Sequence, residues 1–312
     1  MSFKVIGIGE VLWDLLPSGP QLGGAPSNFA YHAGQLGAEV QVITRVGRDD
    51  FGRKIIQRFK EVDFNVNTVQ LDDQLPTGTA SILLDGGTPR FSIGENVAWD
   101  ALSLSGECLE AVRKGDAICF GTLAQRNNKT AAVIQQAVME TPKAALRVFD
   151  VNLREEFYSG ETLRRSLEIA NVLKLNDHEL AVLSAIFELK GDTRQRIVQL
   201  AQKFNLHLIA LTRAEEGSLL YQLGAWSDFP GRKMDLVDTI GAGDAFSAAL
   251  VMGLLHQLGL ADIHRIAADI ASFVCSQPGA TPVLPLHLRE AFLPKSAWKC
   301  AGSYSQSIAD AR

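Results

Sequence analysis

The sequence has few cysteines and no dense block of basic residues, and these scarcities exclude several classes of protein. The 312 residues contain four cysteines, which are dispersed and lack paired spacing: Cys108, Cys119, Cys275 and Cys300. This pattern predicts reduced thiols, not a disulfide framework or a structural zinc site, and we expect a cytoplasmic protein. The net charge of −5 gives no support for a nucleic-acid partner.

The sequence also lacks an apolar run of about 18 residues, so no membrane-spanning helix is predicted and we expect no membrane partner. Met1–Ile6 leads directly into a strand pattern without the layout of a signal peptide. Hydrophobic residues make up 46% of the chain, which is enough for a sizeable core. Length alone allows one large or two smaller domains.

The most informative stretch is a glycine turn that precedes a long run of small and apolar residues, Asp238-Thr239-Ile240-Gly241-Ala242-Gly243-Asp244. The glycines let backbone N–H groups approach a ligand, and the first turn of a helix suits a phosphate. A carboxylate at Asp244 fits there if it accepts a proton from an alcohol while the amides stabilise a phosphoryl group. From this stretch alone, an Asp that only caps a helix is the alternative.

A second group of candidate residues lies near the start of the chain. Asp14 stands among apolar residues, where a carboxylate is costly unless it is bound to something. Gly23 and Gly24 precede a predicted helix start, and Asn28 offers both a donor and an acceptor to a vicinal diol. The alternative is structural: Asp14 faces solvent, the glycines form a turn and Asn28 caps the helix.

The rest of the chain alternates between strand and helix patterns. Strands are predicted at 4–9, 40–46, 66–71, 116–121, 147–151, 172–175, 207–212, 218–223 and 233–237, with a β-hairpin over 77–92. Such alternation predicts a parallel sheet with helices on both faces and ligands at the carboxyl ends of the strands. Polar residues follow three of these strands, at 150–154, 176–179 and 212–217.

Two of these motifs resemble the signatures of one family. Asp-Thr-x-Gly-Ala-Gly-Asp-x-Phe at 238–246 and Gly-Gly-Ala-Pro-Ser-Asn at 23–28 are similar to the signatures of the ribokinase-like (PfkB) carbohydrate kinases, and the resemblance runs to about Ala280. It implies one α/β domain over 1–312 with a three-layer ribokinase-like fold, and a small β lid built from about 11–25 and 75–100. It also implies a kinase that uses ATP and Mg²⁺ to phosphorylate a sugar.

The resemblance assigns expected roles to particular residues. Asp244 is the expected base, helped by amides of Gly241, Ala242 and Gly243. The expected sugar contacts are Asp14, Gly23, Gly24, Asn28, Arg154 and Asp244. The expected nucleotide contacts are Asn176, Thr212, Arg213, Gly217, Gly241, Gly243 and Gly279. Glu179 is expected to hold Mg²⁺ through water, and Asp238 to mark a K⁺ site formed by backbone carbonyls. Ala214 stands where the family often has glycine.

Several details favour fructose as the substrate. Gly9-Glu10, Asp14 and Pro17 resemble fructokinases, as does 122–126, and the Lys-Gly-Ala insert that is typical of ribokinases after the paired glycines is missing. The segment Asp150-Val151-Asn152-Leu153-Arg154 also occurs in 2-keto-3-deoxygluconate kinases. Because Arg154 could pair with a carboxylate, the keto-acid sugar stays open as an alternative, beside a ribokinase-type activity.

The sequence argues against two other classes of nucleotide-binding protein. A dinucleotide-binding fingerprint would need a third glycine after Gly7-Ile8-Gly9, and the P-loop pattern of other kinases is missing. A catalytically silent sugar-binding relative is a non-enzyme alternative, although the expected base and the glycine turn are both intact. A homodimer that forms through the apolar lid is a further hypothesis.

Overall fold

A computed structural model describes residues 2–17, 19–85, 88–232 and 235–292 of the chain. The strands are β1 (Lys4–Ile8), β2 (Leu12–Leu16), β3 (Gly19–Gly23), β4 (Glu39–Gly47), β5 (Val69–Asp72), β6 (Gly78–Asp85), β7 (Thr88–Ile93), β8 (Ala117–Phe120), β9 (Leu146–Asp150), β10 (Val172–Asn176), β11 (Leu208–Thr212), β12 (Ser218–Gln222) and β13 (Ala225–Phe229). The helices are α1 (Ala25–Gln35), α2 (Asp50–Glu61), α3 (Gly106–Arg113), α4 (Asn128–Glu140), α5 (Gly160–Ile169), α6 (Asp177–Phe187), α7 (Thr193–Phe204), α8 (Ala242–Leu255), α9 (Leu260–Cys275) and α10 (Leu286–Arg289).

Two sheets organise these elements. The large sheet has the strand order β13-β12-β11-β10-β9-β8-β1-β4-β5, and it is parallel except at β12 and β13. The small sheet has the order β3-β2-β6-β7. The predicted α/β fold with a mainly parallel sheet and a small additional β sheet is therefore confirmed.

The large sheet is covered on both faces because its strands bury alternate residues in two separate cores. Ile6, Ile118 and Phe149 pack with α3, α4, α5, α6 and α7, whereas Val5 and Val148 pack with α1, α2, α8 and α9. Burial of both faces explains why these strands read as almost continuous apolar runs. The result is three layers, with the carboxyl ends of the parallel strands at one shared edge.

The element boundaries differ from the expectations in two places. The predicted strand at 233–237 is wrong in its described part, because 235–237 has no regular structure. The strand that follows β12 is instead β13, which pairs with β12 through a two-residue turn at Leu223 and Gly224. The predicted strand at 66–71 begins with a short 3₁₀ turn, Val66–Thr68, before β5.

In the part of the chain that the structure describes, no helix has both the length and the apolar character needed to cross a bilayer.

Candidate active site

Three neighbouring strands of the large sheet, β9, β10 and β11, bring polar residues to one edge. The register pairs Lys174 of β10 with Asp150 of β9, and Asn176 of β10 with Thr212 of β11. Since these strands are parallel, their polar ends lie side by side, as expected for the ligand-binding edge of such a sheet. The first turn of α8 packs over this edge, and it brings the glycine turn to the same place.

The glycine turn fits closely between its neighbours. Gly241 has a φ of 78°, and a Cβ there would lie 2.7 Å from the Cα of Ala280. A Cβ on Gly243 would lie 2.7 Å from the Nζ of Lys174. Sterics therefore require glycine at 241, where the neighbour is backbone, whereas a Cβ at 243 would displace the end of the Lys174 side chain. No described side chain caps the start of α8, so the N–H groups of Gly243 and Asp244 are available to a ligand, whereas that of Ala242 makes a long bond of 3.4 Å to the Thr239 carbonyl.

Asp244 lies in the first turn of α8 and contacts α1. The side-chain amide of Asn28 donates a hydrogen bond of 2.9 Å to Oδ2 of Asp244, so the predicted base and a predicted sugar contact meet. Burial, together with the neighbouring Asp150 carboxylate, raises the pKa of Asp244 to about 6, and the bond from Asn28 opposes the shift. Such a carboxylate is mostly ionised at neutral pH and is still a useful proton acceptor.

The predicted sugar contacts near the start of the chain also converge. Oδ2 of Asp14 lies directly against the Cα of Gly23. Gly24 has a φ of 113°, and its Cα packs against the backbone of Glu10. Burial raises the pKa of Asp14, and the positive charge of Arg154 opposes this shift. Arg154 also lowers the pKa of Asp244, so its guanidinium is close enough to interact with both carboxylates.

Sequence reasoning missed a buried ion pair under the glycine turn. Nζ of Lys174 lies 3.1 Å from Oδ1 of Asp150, and the Ser247 hydroxyl donates to Oδ2 of Asp150 at 3.0 Å. Lys174 and Asp150 are 7% and 4% exposed. Burial lowers the pKa of Lys174, but the carboxylates of Asp150, Glu179 and Asp244 outweigh it and raise the pKa above its usual value. Lys174 therefore places a positive charge directly below the first turn of α8.

Glu10 is a second group that sequence reasoning did not single out for a role. It is 2% exposed, and its Oε2 atom has no hydrogen-bond partner among the described residues. Burial raises its pKa to about 7, against opposing backbone hydrogen bonds and the charge of Arg154. Together with Asp14 and Asp244, Glu10 makes a third carboxyl group whose charge interacts with Arg154.

Three predicted nucleotide contacts lie at the end of β11 and in the loop that follows it, and each has different neighbours. Thr212 ends the strand, and its hydroxyl reaches the Leu175 carbonyl at 3.4 Å. Arg213 donates to Oδ1 of Asp228 at 2.6 Å and to the Ser218 carbonyl at 3.1 Å, so its guanidinium is bound to β13 and β12. Gly217 has a φ of 92° and lies against the backbone of 229–231, which leaves no space for a Cβ.

Ala214, which replaces a glycine that is frequent in the family, keeps a glycine-like backbone. Its φ is 46°, in the left-handed region that non-glycine residues rarely adopt. An alanine in this conformation costs about 1 kcal/mol relative to a glycine.

Asn176 and Glu179 form a reciprocal cap at the start of α6. Oδ1 of Asn176 accepts from the Glu179 N–H at 2.9 Å, and Oε2 of Glu179 accepts from the Asn176 N–H at 2.8 Å. Oε1 of Glu179 also accepts from the Leu153 N–H at 3.0 Å. Because both oxygens are engaged and the side chain is 3% exposed, contact with a metal through water fits this carboxylate better than direct ligation.

Asp238 connects the glycine turn to the loop that follows α9. Its Oδ1 accepts from the Ile240 N–H at 3.0 Å, and its Oδ2 accepts from the Gly279 N–H at 3.1 Å. The N–H group of Gly279 is therefore already bound in this structure. A carboxylate that fixes two loop backbones is compatible with a cation held by nearby carbonyl oxygens.

The catalytic candidates do not line the cavity described near the other edge of the large sheet. A cavity of about 260 Å³ lies at the opposite edge of the sheet, beside Lys4, Gln41 and Lys114. It is far from the carboxyl ends of the strands, so it contributes nothing to the site described above.

The arrangement defines a class of protein. The site combines unoccupied amides at a glycine turn with a buried cation below them. It also contains a carboxylate that is hydrogen-bonded to an amide side chain. Together these features suit phosphoryl transfer to an alcohol. The comparison with known proteins agrees with this class. The model of the pfkB family carbohydrate kinases matches residues 20–286. The chain therefore belongs to the pfkB family and is an ATP-dependent carbohydrate kinase.

Two relatives and one solved structure are similar to this chain over most of its length. A fructokinase of Klebsiella pneumoniae is 30% identical over 91% of this chain and 97% of its own. A fructokinase of Salmonella typhimurium is 31% identical over 81% and 85%. The crystal structure of an uncharacterized sugar kinase of Pyrococcus horikoshii matches with a TM-score of 0.77 at 25% identity, covering 93% of this chain and 99% of that one.

Proposed function

We propose that this chain is a fructokinase, which transfers the γ-phosphoryl group of ATP to a primary hydroxyl of fructose. The observation that carries the proposal is the 2.9 Å hydrogen bond between Asn28 and Asp244, because it joins a polar sugar contact to a proton acceptor at the glycine turn. The two bacterial fructokinases at about 30% identity support the choice of sugar.

In the proposed reaction, Asp244 accepts the proton of the primary hydroxyl while the sugar oxygen attacks the γ-phosphorus. A new P–O bond forms as the bond to the β-phosphate oxygen breaks, and ADP leaves. Amides of Ala242, Gly243 and Asp244 stabilise the charge on the transferring group, and Lys174 adds positive charge from below. A bound Mg²⁺ would neutralise phosphate charge, and Glu179 would orient it through water.

The charge around Arg154 favours a neutral sugar over the keto-acid alternative. Its guanidinium interacts with the carboxyl groups of Glu10, Asp14 and Asp244. The charges of these carboxyl groups would also act on a substrate carboxylate bound at Arg154 and would repel it. Arg154 is exposed, however, so 2-keto-3-deoxygluconate is the second substrate to test.

A coupled ADP-release assay tests the proposal with fructose, 2-keto-3-deoxygluconate, ribose and tagatose at equal concentrations. We expect fructose to give the highest kcat/KM, with Asp244→Asn as the inactive control. Highest turnover with the keto-acid would refute the fructose assignment, and turnover with none of these sugars would refute the proposed substrate class.

The proposal has four further parts, which concern a monovalent cation, the lid, the oligomeric state and the location. We expect activity to rise with K⁺ relative to Na⁺ if Asp238 organises a monovalent cation site. The proposed lid, built from about 11–25 and 75–100, would exclude water from the reacting phosphate.

A homodimer through this small sheet would show as twice the monomer mass in light scattering at micromolar concentration, whereas the monomer mass would exclude it. We also propose a cytoplasmic location, where ATP is available.

A further inference from the structure

A buried histidine of α1 contacts the loop that supports the glycine turn. His32 is 0% exposed, and its Nε2 lies 2.9 Å from the carbonyl oxygen of Ala280. The same Ala280 peptide lies directly against the Cα of Gly241, the residue that begins the turn. His32 therefore fixes the peptide on which the glycine turn rests.

The chemistry of this contact defines the state of the ring. A carbonyl oxygen can only accept, so Nε2 carries the proton and donates it. Nδ1 is buried and has no partner among the described residues. Burial lowers the pKa of His32 to about 4, although the bond to Ala280 opposes the shift. The ring is thus neutral at physiological pH and acts as a donor of fixed direction, without contributing charge.

The same helix contacts the other end of the glycine turn. Asn28 lies one turn before His32 and donates to Asp244, whereas His32 reaches Gly241 through Ala280. One face of α1 therefore holds both ends of the segment 241–244. Residues four apart on a helix share a face, so a small rotation or shift of α1 would move both contacts together.

We propose that His32 is a positioning residue that couples the sugar-binding helix α1 to the nucleotide-side loop 277–284 and to the glycine turn. The proposal rests on the proposed function, because it takes α1 as the sugar side and the loop as the nucleotide side. Ordering of α1 by a sugar then favours the loop and turn conformation that accepts the nucleotide, and the reverse also holds.

A matched pair of substitutions separates the donor from the shape of the side chain. His32→Gln keeps an N–H donor at about the distance of Nε2, whereas His32→Met has a similar length and no donor. Gln35 supplies the control, since its amide donates to the Pro282 carbonyl at 3.0 Å and its oxygen accepts from the Leu284 N–H at 2.8 Å. Gln35→Met thus loosens the same loop further along, away from Gly241.

Hydrogen exchange of the unliganded protein is the first readout, because it requires no catalysis. We expect His32→Met to speed amide exchange in peptides covering 238–246 and 277–284, and His32→Gln to stay near the wild type. Gln35→Met is expected to speed exchange only in 277–284. Equal exchange in His32→Met and the wild type, or equally fast exchange in His32→Gln and His32→Met, would overturn the proposal.

Kinetics and binding provide the second readout. Misplacement of a reacting group can cost on the order of 10²-fold, so we expect kcat to fall about 10- to 100-fold in His32→Met and to recover in His32→Gln. The strengthening of ADP binding by sugar, measured by calorimetry, should be lost in His32→Met and kept in Gln35→Met. Unchanged coupling in a folded His32→Met would refute the role.

The failure of this proposal can be distinguished from failure of the proposed function. If the wild type phosphorylates none of the sugars, the fructokinase assignment fails, yet the exchange experiment still tests the contact of His32. If His32→Met does not fold, His32→Asn replaces it, because its shorter amide ends near the position of Nδ1 and cannot reach Ala280.

Discussion

Replacing Asp244 by Asn should remove activity and stabilise the unliganded protein. The amide is nearly isosteric with the carboxylate, and its oxygen can still accept the hydrogen bond from Asn28. It cannot accept the proton of a sugar hydroxyl, so we expect kcat to fall by about 10²- to 10⁴-fold, the usual contribution of a positioned base. Binding of ADP should change little, since the backbone amides remain.

The stability change follows from the pKa of the buried carboxylate. Burial raises this pKa from 3.8 to about 6, so the folded protein is penalised for carrying the charge. The penalty is absent below about pH 4, grows as pH rises between the two values and is complete above about pH 6. A difference of this size corresponds to about 3 kcal/mol. Because the pKa of about 6 already includes the attraction between Asp244 and Lys174, we expect a net gain of up to about 3 kcal/mol at pH 8.

Thermal and urea unfolding at pH 8 and at pH 5 measure this gain. For a chain of this size, each kcal/mol shifts Tm by about 2 °C. The advantage of Asp244→Asn over the wild type should be several degrees at pH 8 and about half as large at pH 5. Groups that do not interact with Asp244 titrate alike in both proteins, so the comparison isolates Asp244 and the groups coupled to it, which include Glu10 and Lys174. A variant that is no more stable at pH 8, or whose advantage does not shrink at pH 5, would refute the reasoning.

The remaining predictions concern the same cleft. The kcat/KM for the sugar should fall below about pH 6 as Asp244 becomes protonated, and a flat profile from pH 5 to 8 would contradict this assignment. The Gly243→Ala substitution should lower kcat about 10²-fold, because its Cβ would lie 2.7 Å from Nζ of Lys174. The coupled ADP-release assay would detect this loss of activity. Lys174→Met should cost roughly 3–5 kcal/mol in urea unfolding by leaving Asp150 unpaired, whereas Lys174→Met with Asp150→Leu should recover much of that loss.

Part of the site could be predicted from the sequence because its residues are close together in the chain. The glycine turn, the helix start and Asp244 are adjacent in the chain, so the amides and the carboxylate must be close in any fold that forms that helix. The meeting of Asp244 with Asn28 could not be derived in this way, because 216 positions separate them. The family resemblance supplied that long-range link, and the 2.9 Å bond agrees with it.

The direction of long side chains was beyond sequence reasoning. Arg213 follows a strand at the ligand-binding edge, which made it a candidate nucleotide contact, but its guanidinium binds Asp228. Asp228 lies in β13, and the sequence analysis placed that strand at 233–237. The turn before β13 consists of Leu223 and Gly224, with φ of 48° and 94°. Leucine rarely adopts a positive φ, so the usual hairpin signal was hidden.

The buried ionisable residues Lys174 and Glu10 could have been identified from a simpler pattern in the sequence. Lys174 interrupts the apolar strand β10, and Glu10 follows the apolar strand β1, both at buried positions. A lysine or glutamate in such a place is costly unless something in the fold compensates it. Lys174 has its compensation in Asp150, whereas an oxygen of Glu10 has no partner among the described residues. Since the Glu10 charge also interacts with Arg154 and Asp244, the position of an ionisable residue within an apolar strand is a better guide to this site than its residue type alone.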